Sequence, residues 1–449
     1  MDISRAPTSP DADVAIYLHA ELLPNIRQIT LYASLPPRST FDGVRPEIEL
    51  SESRKAVTVS LTEPYQHVVE TIKLPARVSG AARGALKRCS TPLAASKSTE
   101  NNHDFSFRMP IDIDGEGSTP RDELIDEYIP WTAADMSPTT RIRCRMCGTA
   151  FLNDSNRDYT PGEYNQTTLT GWVWKDLPSG NWAEMMDFWH CHKPDPHKDN
   201  SDSETTAALR IEETNAQVKG YGTSSRVEAT PGSILIDVAT FLLAEADCVG
   251  LRKGSENEAK LTTKTSEART LTCESCNAII GMEDPATNGW RLLKAIVSLS
   301  TAKSWESEED KWESHPTEMI IAAQLLELIE RESARRFVVH RGQKSGLLLW
   351  VFNPDLRYSN SSSGHSINAQ QAMKVFFQET SDVNTLLDRD LGKPSPLSVE
   401  EVELPSMIFE VLENALRGSN QMLPLSARRF NEWQVGLLNR FNRKDLSRI

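Results

Sequence analysis

Four of the seven cysteines fall in two pairs with the same internal spacing, Cys144-Arg145-Met146-Cys147-Gly148 and Cys273-Glu274-Ser275-Cys276-Asn277. Two intervening residues let one tight turn offer two thiolates to a single metal ion, and two such turns complete the tetrahedral set that zinc takes in structural sites. The residue after each pair, Gly148 or Asn277, is of a type that readily accepts a positive φ and lets the backbone curl round an ion. One structural zinc ion held by Cys144, Cys147, Cys273 and Cys276 is the expected cofactor. Reduced, buried cysteines with coincidental spacing are the competing reading. A thioredoxin-like redox pair is disfavoured, because neither pair opens a helix within a βαβ pattern. An odd total of cysteines fits a reducing compartment better than a disulfide scaffold.

A third cluster, Trp189-His190-Cys191-His192-Lys193-Pro194-Asp195, places three potential ligands in succession. In an extended chain His190 and His192 point to one face and Cys191 to the other, so one metal cannot easily collect all three. Cys191 is then a replacement zinc ligand, a thiolate nucleophile whose pKa is lowered by imidazolium neighbours, or part of a packed strand end before a proline-rich turn. Cys89 and Cys248 have no partner by spacing. No GxxxxGK[ST] loop, HExxH, GxSxG elbow or GxGxxG after a strand occurs, which removes the common hydrolase and nucleotide-binding routes. Asp112 to Gly115 resembles part of a calcium loop, but the later acidic positions are out of register and it reads as a turn.

The elements that must position these residues divide by pattern. Period-two alternation predicts strands at 14–18, 29–32, 48–50, 56–61, 68–74, 105–113 and 141–151. Residues 194–230 and 253–269 are too polar to bury much surface and read as disordered insertions. Beyond Trp290, helical spacing appears at 318–331 and again at 405–416, after Pro405. Between them 336–340 and 346–352 read as buried strands, the second closed by a turn at Asn353-Pro354-Asp355. The expected fold class is α+β: a β-rich N-terminal lobe, sandwich or barrel-like (1–140), a zinc-binding region (141–285), and an α+β C-terminal lobe (286–449). A zinc ion shared by the distant cysteine pairs would join the lobes.

Forty-nine basic against sixty-three acidic side chains give a net charge of -14, a field that repels polyanions, so neither nucleic acid nor an anionic membrane is an expected partner. The most apolar run, 233–244, is interrupted by Asp237 and falls short of the roughly 20 residues needed to cross a bilayer. The opening MDISRAPTSPDADV lacks the basic and apolar regions of a secretory signal, so the expected location is cytoplasmic, nuclear or both. Among ten tryptophans, Trp305 and Trp312 in the acidic stretch SWESEEDKWES are candidates for an exposed partner contact, although such an insertion also packs back on its own lobe. Trp350, within GLLLWVF, is expected in the core.

The segment Leu177-Pro178-Ser179-Gly180-Asn181-Trp182, followed by Trp189 to Asp195, resembles the central signature of the HECT-like ubiquitin-conjugating-enzyme-binding family. Three later pieces are similar to it as well: Trp290 to Lys294, Leu349 to Ser359 and Trp433 to Leu438. Together they cover roughly residues 140 to 440. The resemblance implies binding to a ubiquitin-conjugating enzyme and ubiquitin-ligase activity, with Trp182, His190 and His192 as partner-binding candidates and Cys191 as the thioester candidate. The last cysteine is Cys276, so the C-terminal acceptor cysteine of a true HECT ligase has no counterpart. Fungal members of the family are associated with pre-mRNA 3′-end processing, which implies as the alternative a non-catalytic factor that binds and stabilises a processing protein.

Overall fold

The structure is a computed structural model, and it describes residues 16–35, 46–63, 65–83, 104–112, 128–153, 171–177, 227–254, 270–300, 311–342, 344–362, 369–387 and 399–443. The alternating N-terminal runs form β1 (Tyr17–Leu23), β2 (Gln28–Ser34), β3 (Pro46–Leu50), β4 (Ala56–Leu61), β5 (Val69–Lys73) and β6 (Asp104–Pro110). They are followed by β7 (Ile142–Cys144), β8 (Val173–Asp176), β9 (Ser233–Ile236), β10 (Thr240–Leu243), β11 (Leu251–Lys253) and β12 (Thr270–Cys273). Next come β13 (Ile279–Asp284), β14 (Gly289–Leu293), β15 (Val297–Ser300), β16 (Trp312–Glu313) and helix α1 (Thr317–Glu332). The chain ends with β17 (Arg336–His340), β18 (Gly346–Asn360), β19 (Gln370–Thr380), α2 (Val383–Leu387), β20 (Val399–Glu403), α3 (Ser406–Met422), β21 (Arg429–Phe430) and β22 (Trp433–Asn439).

Contacts divide the chain into two units: unit 1 is Met1–Tyr128 with Arg335–Ile449, and unit 2 is Ile129–Ala334. The sequential division at 140 and 285 differs from this one, because the first and last parts of the chain share a sheet. In unit 1 a nine-stranded sheet runs β21-β22-β19-β18-β1-β2-β6, with β17 on β18 and β20 on β17. The closing step is β1 against β18, where Glu21 faces Tyr358 and His19 faces Asn360. Apolar side chains of β1 and β2 (Leu18, Ala20, Ile29, Leu31) share a core with Val57, Val59 and Ile72 of the three-stranded sheet β3-β4-β5. Helix α3 buries Ile408, Phe409, Leu412 and Leu416, one stripe at helical spacing, and packs on β22. A Cβ at Gly436 of that strand would stand 2.9 Å from Leu416 Cδ2, so the missing side chain lets the helix approach.

The turn expected at Asn353-Pro354-Asp355 lies instead inside β18, where the register against β19 shifts between Val351 and Asn353 and again before Leu356. A proline cannot donate to the ladder, and a bulge accommodates it without ending the strand. The Arg440 guanidinium holds the bulge by donating to Pro354 O (2.9 Å) and to Asp355 Oδ1 (3.1 Å). Across the neighbouring strands, Glu21 receives Lys374 Nζ on both carboxylate oxygens (2.9 and 2.8 Å) and His19 Nε2 on one (3.1 Å). Burial alone would raise the Glu21 carboxyl, but the Lys374 charge and the His19 hydrogen bond hold it down at about 2.

Unit 2 holds the seven-stranded sheet β11-β12-β13-β14-β10-β9-β8 and the three-stranded β16-β15-β7. Helix α1 buries Ile320, Ile321, Ala322, Ala323, Leu325 and Leu326. All four paired cysteines lie inside this unit, so the expectation that they join two lobes is corrected: the long connection is made within unit 1 by strand pairing. The predominance of strand extends through both units, well beyond an N-terminal lobe. Among the described residues no helix is long and apolar enough to cross a membrane.

Candidate metal centre

Each cysteine pair ends a strand and turns back on itself by the same two hydrogen bonds. In the first knuckle the Gly148 N–H donates to Cys144 O (3.0 Å) and the Cys144 N–H to Thr149 O (2.8 Å); in the second, the Asn277 N–H donates to Cys273 O (2.9 Å) and the Cys273 N–H to Ala278 O (2.9 Å). Gly148 has φ +79 and Asn277 φ +58, as the sequence predicts for the residue that completes the curl. β7 pairs with β15 and β12 with both β11 and β13, so the two turns project from separate sheets.

The turns bring their sulfurs together. Cys144 Sγ lies 3.7 Å from Cys276 Sγ, and Cys147 Sγ lies 3.5 Å from Cys273 Sγ. All four sulfurs are within 4.8 Å of one another. A tetrahedral ion with sulfur ligands at about 2.3 Å places its sulfurs about 3.8 Å apart, so the cradle matches that size. The set is able to bind a metal ion. Cys144 and Cys273 are fully buried, whereas Cys147 is exposed and Cys276 partly so. Burial pushes the Cys144 thiol up to about 12, while hydrogen bonds from the Thr149 side chain and backbone draw Cys147 down to about 6.

Residues that the spacing of cysteines did not single out brace the knuckles. Thr149 Oγ1 and Ser275 Oγ share a hydrogen bond (2.8 Å), linking one turn to the other. The Arg145 N–H donates to Ile296 O (3.0 Å), and its guanidinium to Ala295 O (3.2 Å) and His315 O (3.0 Å). Gly250 accepts from the Glu274 N–H (3.0 Å) and has φ +66. A Cβ there would lie 2.7 Å from Ala150 O and 2.8 Å from Thr149 Cγ2, so it would press on the first knuckle. The positive φ and the backbone clash together predict that Gly250→Ala costs about 2–3 kcal/mol, read as a lowered denaturation midpoint. A glycine amid the apolar residues Val249 and Leu251 was the available signal.

The other predicted site residues are not gathered here. Trp182, His190, Cys191, His192 and Trp305 lie outside the described residues, as does Cys89. Trp312 is half-buried on β16, with the Arg143 guanidinium carbon 4.0 Å from its ring centroid, so it packs against its own unit. Cys248 is half-buried and its thiol is pushed up to about 12 by burial. Trp350 is half-buried, set edge-on to Phe376 at 5.3 Å and to Trp433 at 6.1 Å.

Residues 21–435 match the family described as HECT-like ubiquitin-conjugating enzyme (E2)-binding, and the chain belongs to that family. An uncharacterized protein of Schizosaccharomyces pombe is 24% identical over 79% of this chain and 89% of its own length. An uncharacterized protein of Saccharomyces cerevisiae is 26% identical over 59% of this chain and 62% of its own length. An E3 ubiquitin-protein ligase of Homo sapiens is 27% identical over 58% of this chain and 66% of its own length. The last two matches thus span somewhat less than two thirds of those relatives. No solved structure matches the chain.

Proposed function

We propose that this chain binds a ubiquitin-conjugating enzyme and promotes ubiquitin transfer, with Cys144, Cys147, Cys273 and Cys276 holding one structural zinc ion. The observation that carries the reading is the family match, which runs from β1 to β22 and so includes both units. The relative named as a ubiquitin-protein ligase supports the transfer half. Four thiolates at this spacing suit zinc, and a site closed by four protein ligands leaves no position for substrate, so the ion's role is to fold the unit.

The described cysteines are poor acceptors for a thioester: four would be committed to metal, and Cys248 is held as a thiol by burial. Cys89 and Cys191 lie outside the described residues, and Cys191, set within the family-like segment, is the acceptor to test. There its thiolate would attack the thioester between ubiquitin and the conjugating enzyme, releasing that enzyme's cysteine thiolate. No observation favours the alternative role in pre-mRNA 3′-end processing.

The test is a panel of ubiquitin-charged conjugating enzymes mixed with the purified chain. At least one is expected to bind and to discharge ubiquitin faster than it does alone. With Cys191→Ser the binding should persist and the acceleration should disappear. Acceleration that survives the substitution excludes Cys191 as acceptor, and a chain that binds none of the panel overturns the proposed function itself.

A further inference from the structure

Lys294 is buried to 0% exposure in unit 2, at the head of the 3-10 turn Lys294–Ile296. Its Nζ donates to Pro130 O and Trp131 O, each at 2.9 Å, and stands 5.4 Å from the centroid of the Phe241 ring. A neutral amine has two N–H donors and an ammonium three. Either form can serve the two carbonyls, but the ammonium brings a full charge to a site with no solvent exposure and, among the described residues, no carboxylate hydrogen-bonded to it, a cost that the Phe241 face offsets only in part. Burial lowers the pKa of this side chain to about 7, against the opposing pull of Asp237, Asp176 and Asp135.

What the lysine holds is unusual backbone. Trp131, a bulky residue, has φ +59, a region that such side chains rarely occupy unless the surroundings enforce it. The residue is 4% exposed, its ring 4.6 Å from the His315 ring and 6.1 Å from that of Phe241. The following Thr132 donates its N–H to Asp135 Oδ2 (2.9 Å), and Ala133 donates to Asp176 Oδ1 (2.7 Å). The same 3-10 turn reaches the first knuckle, because Ala295 O and Ile296 O are the carbonyls that receive Arg145.

We propose that Lys294 is a proton-operated latch: its buried nitrogen seats residues 129–135 on the turn that braces the first cysteine knuckle, and uptake of a proton favours a released form in which the side chain is hydrated. In the released form lysine titrates near its ordinary 10.5, in the seated form near 7. The seated form therefore gains about tenfold per pH unit between those values and gains nothing below about 7. Other charged groups border the site: Glu327 paired with Arg331 (2.8 Å) on α1, Glu313 beside His315 (3.3 Å) by β16, and Arg291 bound to Asp237 (3.1 Å). Their titration survives removal of the lysine, which is how the experiment separates them.

Hydrogen-exchange protection factors for the amides of residues 131–136, corrected for intrinsic exchange, would be measured on the full chain from pH 6 to 9. The wild type is expected to be flat up to about 7 and then to rise about tenfold per unit, whereas Lys294→Met should show no slope. A flat wild type, or an equal slope in the variant, overturns the latch. Should Lys294→Met not fold, the ¹³Cε shift of Lys294 in the wild type decides: a midpoint near 7 supports the proposal and one near 10.5 overturns it.

Discussion

Serine at any one of Cys144, Cys147, Cys273 and Cys276 is expected to abolish stoichiometric zinc and to unfold unit 2 while unit 1 keeps its protected amides. The size of the effect follows from the two energies involved. A structural zinc contributes on the order of 10 kcal/mol, and a domain is stable by only about 5–15 kcal/mol. The knuckles project from separate sheets and, apart from an ion that their four thiolates would hold, share the Thr149–Ser275 hydrogen bond and the bracing through Gly250. Unit 1 has hydrophobic cores of its own, one between β1-β2 and the β3-β4-β5 sheet and one around Tyr358, Phe376 and Trp433. Hydrogen exchange should therefore show protection lost across 129–334 before 335–443. The wild type should carry one zinc per chain, with four sulfurs at about 2.3 Å by X-ray absorption. A folded, zinc-free wild-type protein would refute the assignment.

The second large effect is at the buried ion cluster of unit 1. Lys374→Met leaves the Glu21 carboxylate buried with, among the described residues, only the His19 side chain hydrogen-bonded to it, and losing one partner of a buried pair costs about 3–5 kcal/mol. Replacing both, as Glu21→Leu with Lys374→Met, should recover most of that loss, because no charge is then stranded. A double variant no more stable than the single one would show that stranded charge is not the cause. The pH dependence has a definite sign. Glu21 is held at about 2 against an ordinary 4.5, so its contribution is complete above about 4.5 and is lost as the pH falls towards about 2. That loss amounts to about 3 kcal/mol in urea unfolding of the wild type, and the double variant should lack it.

Local structure was largely legible from residue order. Strands predicted at 56–61 and 336–340 coincide with β4 and β17, and the helices at 318–331 and 405–416 are the bodies of α1 and α3. The cysteine spacing anticipated both knuckles and their convergence, since a CxxC turn is set by its own backbone and by the residue after it. Pairing partners were not legible, because β1 carries nothing in its alternation to say that β18 rather than a neighbour completes it. That is why residue order suggests sequential lobes where one unit is inserted into another. The bulge at Pro354 is hidden for a related reason: Asn-Pro-Asp is a turn signal until Arg440, far along the chain, holds those residues within a strand. The burial of Lys294 is not legible either, since a lysine ending an apolar strand normally reaches solvent.

Because β1 pairs with β18, the first described strand waits for one of its partners some 340 residues downstream. At translation rates of about 5–20 residues per second, that delay is on the order of half a minute. Throughout it, the β18-facing edge of β1 emerges from the ribosome unpaired, while all of unit 2 is synthesised and becomes free to fold. Nascent chains of this protein should consequently be clients of co-translational chaperones, and truncation before β18 should yield aggregates rather than a soluble N-terminal fragment.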